Sequence, residues 1–294
     1  MKKVVTVLLN WNGEKDTIEC IASLKQLDYP DNTILVVDND SRPESVEAVR
    51  LAHTDVEIIE TGHNGGFSFG NNFGIRKAVE HGAEYIWILN NDTTVLPSSL
   101  RSMVDTAEED ENVGLVGSPI YYHDEPEKLQ AWGGGPLDPI TMRSSMFMYP
   151  VEDSKLGYLT GTSILFRVTA LQQAGYFDDR FFMYWEDADL SLRLLHAKWK
   201  IAVAPGGKIY HKESASFANK KQSVIKTRYF IESTVIFISK HSEKPIVSMF
   251  LGVFLRMLNY LFKLRFDKIK NGLIGIYSAI KVIRLKNGKL RLKQ

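Results

Sequence analysis

The stretch Val4-Val5-Thr6-Val7-Leu8-Leu9-Asn10-Trp11-Asn12-Gly13, repeated in kind by Ile34-Leu35-Val36-Val37-Asp38-Asn39-Asp40-Ser41, decides the fold. Each is a short apolar, largely β-branched run that stops in a polar turn-forming cluster, as a buried parallel strand does. The first run is too short for an export-signal core and no small-residue cleavage site follows it, so it reads as a strand and the cytoplasm as the compartment. Working outward, 56–59, 85–89 and 113–117 repeat the pattern. Between them 14–26, 43–52, 71–81 and 97–110 read as amphipathic helices, two of them opened by a proline. Such alternation builds a mainly parallel sheet flanked by helices, an α/β fold whose ligands bind beyond the carboxyl ends of the strands.

Residues 119–156, with Gly133-Gly134-Gly135-Pro136 and Asp138-Pro139, break the alternation and read as an irregular insertion or hairpin. Regular structure resumes with a strand near 162–166, helices near 168–174 and 187–198, and short strands around 201–204 and 208–211. The 294 residues are 44% hydrophobic and 24% charged, which excludes wholesale disorder and a polytopic membrane protein. A single cysteine, Cys20, excludes a disulfide framework or a Cys-rich zinc site.

The net charge of +1 conceals a division: residues 1–219 hold 19 Lys and Arg against 32 Asp and Glu, and residues 220–294 hold 17 against 3. The expected organisation is an acidic domain over 1–219, with halves of about 1–118 and 119–219, followed by a basic helical tail over 220–294. Within the tail 246–264 is almost continuously apolar, and Ser248, Gly252, Arg256, Asn259 and Lys263 fall in one narrow helical stripe. A spanning helix would carry Arg256 near mid-bilayer at about 2.5–3.5 kcal/mol. An in-plane helix on an anionic membrane surface is favoured, with a span and a buried or homo-oligomer-forming helix as alternatives.

The chemistry sits where strands end. Asp38 can accept hydrogen bonds from a nucleobase imide or a ribose hydroxyl, and Asn90-Asn91-Asp92 can present oxygens to a hard divalent cation; the same residue types also simply make turns. Asn64-Gly65-Gly66-Phe67-Ser68-Phe69-Gly70-Asn71-Asn72 offers backbone N–H groups to a diphosphate or a sugar, or is a plain turn. In Phe181-Phe182-Met183-Tyr184-Trp185-Glu186-Asp187-Ala188-Asp189 three carboxylates crowd beside aromatics. That setting suits a general base, although Glu186 also fits a helix cap. His211 ends a short strand, where a lone histidine is commonly structural.

Taken in order, these motifs, together with Gly175-Tyr176-Phe177-Asp178, Leu190 and Arg193, resemble the family 2 glycosyltransferases, in particular the bacterial rhamnosyltransferase-like branch with a GT-A fold. The resemblance covers about residues 4–216. It implies nucleotide-sugar binding by Asn10, Asp38, Asn64, Gly66, Asn71, Asn91 and Asp92, with Asp38 on the nucleoside of a dTDP- or UDP-sugar. It implies Mg²⁺ or Mn²⁺ on Asp92, completed by His211 and, more weakly, by Asn90, which stands where the family's DXD motif has its first Asp. Asp187 becomes the base that activates the acceptor hydroxyl, and Glu186 holds the acceptor or orients that base. The implied reaction is inverting transfer, L-rhamnose from dTDP-rhamnose first, to a glycan or lipid-linked acceptor in cell-surface polysaccharide synthesis, by an enzyme peripheral on the cytoplasmic face of the membrane. Two alternatives stand beside it. A sugar-phosphate nucleotidyltransferase would need a glycine-rich basic signature that Asn10-Trp11-Asn12-Gly13-Glu14 lacks. A non-enzymatic membrane scaffold leaves the acidic rim unexplained, and the acidic body disfavours nucleic acid.

Overall fold

The computed structural model describes residues 1–138, 140–212 and 220–291, which form two compact units. Residue 219 of the expected 219/220 boundary, Pro139 and residues 292–294 lie outside the described residues. The first unit comprises Met1–Pro136, Ser145–Asp178 and Glu186–Ser214. Its elements begin with β1 (Val4–Asn10), α1 (Glu14–Leu24), β2 (Asn32–Asp38), α2 (Pro43–Ala52), β3 (Glu57–Glu60), α3 (Gly66–Glu80), β4 (Tyr85–Asn90), β5 (Thr93–Val95), α4 (Ser99–Glu108) and β6 (Val113–Gly117). They continue with β7 (Pro119–Tyr122), β8 (Leu129–Trp132), β9 (Gly134–Gly135), β10 (Tyr158–Leu159), β11 (Ser163–Arg167), α5 (Val168–Ala174), α6 (Glu186–His196), β12 (Lys200–Val203) and β13 (Ile209–His211).

Seven strands form the main sheet in the order β12-β6-β11-β4-β1-β2-β3, parallel except for β11. Alternation along β1 divides the core. Val4 and Leu8 pack with Ile21, Leu24, Trp87 and Leu100 on one face, while Val5 and Val7 pack with Ile75, Ile86, Ile88 and Phe166 on the other. The chain order reverses between β1 and β4, so the crevice expected of an open α/β sheet opens there, at the ends that carry Asn10, Asp38 and Asn90.

Helix α3 starts at Gly66, a turn before the expected 71–81. Gly66, Gly70, Gly74 and Ala78 recur every four residues along one buried face, and a side chain at Gly70 or Gly74 would run into Leu9 or Val7. The glycines are therefore the contact surface of a helix laid tightly on the sheet, with Gly66 itself at φ +87° as the chain enters it. Within residues 119–156, read as an irregular insertion or hairpin, the hairpin forms. Strands β7 and β8 pair antiparallel and join β13 and β5 in a four-stranded sheet, order β5-β13-β7-β8. Local hydrophobic periodicity could not reveal that sheet, because its strands come from distant parts of the chain.

The second unit comprises Leu137–Ser144, Asp179–Trp185 and Ala215–Gln294. Its described helices are α7 (Lys220–His241), α8 (Pro245–Met249), a π-helical turn (Phe250–Phe254), α9 (Leu255–Phe262) and α10 (Phe266–Arg291). Helices α7 and α10 pack backbone to backbone: a Cβ at Gly275 would lie 2.5 Å from the Arg228 carbonyl oxygen. The segment Pro245–Phe262 is long and apolar enough to cross a membrane, with mean hydropathy 1.6, and is 11% buried. Its small and polar stripe turns partly inward. Ser248 is fully buried on Ser242 and the Ile140 carbonyl, and Gly252 faces the Thr141 carbonyl. The apolar side is the exposed one, with Ile246, Phe250, Phe254 and Phe262 open to solvent.

Candidate active site

At the crevice, Asn10 and Asp38 are register partners at the ends of β1 and β2, and both are buried. Asn10 Nδ2 donates to Asp38 Oδ2 at 2.8 Å, and Asn10 Oδ1 accepts from Gly13 N and Thr17 Oγ1. Ser41 N donates to Asp38 Oδ1 at 2.8 Å. Every Asp38 oxygen therefore has a neutral donor and no cation, an arrangement that holds a carboxylate rigid at a strand end. The next residue, Asn39, binds Asn64 Oδ1 and the Gly66 carbonyl, and Asn64 Oδ1 also receives Gly66 N at 3.0 Å. These bonds tie the β2 end to the first turn of α3. Asn71 donates to the Phe67 carbonyl while its own Oδ1 is buried without a partner.

On the other side of the crevice, β5 and β13 bring the chain ends of two distant segments together. Asp92 Oδ1 lies 3.2 Å from His211 Nε2, and His211 Nδ1 lies 2.9 Å from Gln130 Oε1. A carbonyl oxygen at Nδ1 makes that nitrogen the donor, so Nε2 turns a lone pair toward a carboxylate. The donor set suits a divalent metal whose remaining positions go to phosphate oxygens and water. Among the described residues no three His, Cys, Asp or Glu side chains gather to hold a metal unaided. Asn91 spends its amide on Thr17 Oγ1 at 2.8 Å, and Asn90 sits partly exposed at the end of β4.

Glu186 and Asp187 open α6. Glu186 is buried with Oε2 unpartnered, and burial, reinforced by the charge of Asp187, pushes its carboxyl well above the usual range. Asp187 is partly exposed; burial raises it too, while hydrogen bonds from Gly161 N (3.0 Å) and Ala188 N (2.7 Å) oppose the rise. Of the pair, only Asp187 both reaches solvent and is aimed by fixed donors. Gly161 is the wall it shares with the α3 entry: a Cβ there would stand 3.2 Å from the Phe67 ring and 3.7 Å from Asp187 Cβ. The same helix is locked by Asp189, whose Oδ2 takes Arg193 Nε at 2.9 Å while the guanidinium spans the carbonyls of Ala174, Gly175 and Tyr176. Asn72 then pairs both its amide groups with the backbone of Phe177, at 2.8 and 3.0 Å.

Gln130, Gly161 and Asn72 escaped the sequence reading. Gln130 lies in the stretch read as an irregular insertion or hairpin, Gly161 has no side chain to signal a role, and Asn72, at the end of the glycine-rich stretch, carries no separate signal there. Trp11, 58% exposed at the β1 end, is the one candidate whose signal was present, as a tryptophan inside a polar loop.

In an open α/β sheet this polar rim stands beyond the carboxyl ends of the strands, where such folds bind ligands. The glycosyl transferase family 2 model matches residues 5–175. The chain belongs to glycosyl transferase family 2, and the enzyme is a glycosyltransferase of GT-A fold, which sets the nucleotidyltransferase alternative aside. It is 26% identical over 246 residues to the N-acetylglucosaminyl-diphospho-decaprenol L-rhamnosyltransferase of Mycobacterium tuberculosis, covering 76% of this chain and 80% of that protein. The low-salt glycan biosynthesis hexosyltransferase Agl10 of Haloferax volcanii is 24% identical over 194 residues, 64% of this chain and 60% of its own length. In fold the chain is similar to the mannosyltransferase PcManGT of Pyrobaculum calidifontis, solved with GDP-Man and Mn²⁺, at a TM-score of 0.59 and 16% identity over 99% of this chain and 80% of that one. It is also similar to residues 1–349 of S. aureus TarS, at 0.56 and 15% over 92% and 89%.

Proposed function

We propose that this glycosyltransferase is a metal-dependent inverting enzyme. It transfers a hexosyl group, L-rhamnose from dTDP-rhamnose first and a UDP-sugar second, to a hydroxyl of a glycan or lipid-linked acceptor in cell-surface polysaccharide synthesis. The observation that carries the reading is Asp187: a raised, partly exposed carboxylate aimed by Gly161 N, against the same wall as the glycine-rich entry of α3. The rhamnosyltransferase relative supports the choice of sugar and of a lipid-linked acceptor. Asn10 and Asp38 hold the nucleoside, with Asn64, Gly66, Asn71 and Asn91 completing the donor pocket. Asp92 with His211, and Asn90 more weakly, would hold Mg²⁺ or Mn²⁺, which when bound neutralises the departing diphosphate. Asp187 takes the acceptor proton as that oxygen bonds to C1 of the sugar; the C1–phosphate oxygen bond breaks, the nucleoside diphosphate leaves, and the anomeric centre inverts. Glu186, neutral beside it, orients the base or the acceptor.

The division of charge supports a cytoplasmic enzyme peripheral on an anionic membrane, with residues 220–294 as the contact and self-association through the same helices as the competing role. Thermal shift with a panel of dTDP-, UDP- and GDP-sugars, with and without Mn²⁺, tests the donor and the metal together. Selective, Mn²⁺-dependent stabilisation is expected, about 2.7 kcal/mol at a hundredfold excess over Kd. No stabilisation by any nucleotide sugar contradicts the reading.

A further inference from the structure

Two cavities of opposite character flank the helical segment of the π turn and α9, both within the second unit. The first, about 350 Å³, is lined by Arg143, Trp185, Phe230, Thr234, Arg256 and Asn259 among others. No carboxylate stands among its described lining residues. Its walls are fixed. Trp185 donates to Thr234 Oγ1 at 3.0 Å and stacks on Phe237, Arg143 is held by the Leu251 carbonyl at 2.5 Å, and the Arg256 guanidinium lies 4.3 Å from the Phe230 ring centre. The second, about 680 Å³, is walled by apolar side chains, among them Phe250, Phe254, Leu258, Leu261, Leu273 and Ile280.

Two guanidiniums and an amide in a recess without opposing charge suit a phosphate group, since planar arginine forks match phosphate oxygens. A groove lined by aliphatic, aromatic and methionine side chains suits a hydrocarbon chain. The two share one helical segment and no residue, and apart from Met142, Arg143 and Trp185 their lining comes from the part of the sequence whose charge balance is 17 to 3 in favour of cations. Trp185, which lines the arginine cavity, is followed in the sequence by Glu186.

We propose that the arginine cavity binds the phosphate of an amphiphilic acceptor and the groove its hydrocarbon chain, so that the second unit is the acceptor-lipid site of the enzyme. This rests on the lipid-linked acceptor reading above. The test is calorimetric titration of the full chain in EDTA, which disables metal-dependent diphosphate binding, with farnesyl phosphate, inorganic phosphate and farnesol. Farnesyl phosphate should bind at least about tenfold tighter than either fragment. Arg143→Gln with Arg256→Gln should weaken it by at least about tenfold and leave farnesol unchanged. Phe254→Asp, at an exposed position, should weaken farnesol and farnesyl phosphate alike. Farnesyl phosphate bound no better than farnesol, bound no better than inorganic phosphate, or bound equally by the double variant overturns the proposal. Mn²⁺-dependent donor stabilisation is measured on the same protein preparation without EDTA. If it is present while farnesyl phosphate fails, this inference alone falls; if it is absent, the donor reading falls instead.

Discussion

At the scale of the residue, the carboxylate pair shows how position divides labour between similar groups. Glu186 is buried with an unpartnered oxygen, whereas Asp187, one residue on, reaches solvent and takes two backbone N–H bonds. A folded value above the ordinary 4.5 means that Glu186 keeps its proton in the native state over a range where the unfolded chain has lost it. Folding is therefore most favoured by this group below pH 4.5 and loses that contribution as pH rises through the folded value. Glu186→Gln, which cannot ionise, should be more stable than the parent at pH 8 and should lose that advantage by pH 4 in urea titrations. An advantage that grows toward acid would contradict the assignment. The sequence exposed these carboxylates because three acids within four residues stand out. It could not show that Glu186 and Asp189 are buried while Asp187 reaches solvent, since that depends on how α6 packs against segments distant in sequence.

At the scale of the element, α3 is where the sequence reading and the fold part most clearly. Glycines at four-residue spacing read as a loop because local propensity penalises them in a helix. They are tolerated because the helix backbone lies directly on Leu9 and Val7. Gly74→Ala should cost about 1–3 kcal/mol by overpacking, read as a lower urea midpoint with unchanged slope. The same change at an exposed helix position would be stabilising, so a neutral or favourable effect at Gly74 would show that the helix can move off the sheet. The strands of the main sheet were legible because each is a continuous apolar run closed by polar residues. The four-stranded sheet was legible only in part: 208–211 read as a strand and 119–156 as an insertion or hairpin, whereas β5 and the pairing of β13 with β5 and β7 arise between distant segments. For the same reason the sequence nominated His211 and Asp92 separately, while their meeting and the role of Gln130 in orienting the imidazole appear only in the fold.

At the scale of the whole molecule, the near-neutral total charge is the sum of an acidic part over 1–219 and a basic one over 220–294. The carboxyl ends of the first unit's strands gather the groups proposed to hold a nucleotide sugar, and the second unit carries the cations and exposed apolar surface proposed to meet an acceptor lipid. The stripe on 246–264 was visible in the sequence. Its direction was not, because a periodicity shows that two faces differ without showing which faces the protein. The central claim is that Asp187 removes the acceptor proton while the donor is held elsewhere. The direct measurement compares Asp187→Asn with the parent enzyme, using the donor found by thermal shift, for donor Kd and for transfer turnover. The account predicts an unchanged Kd with turnover lower by ~10²–10⁴-fold. Parent-like turnover in Asp187→Asn would contradict it.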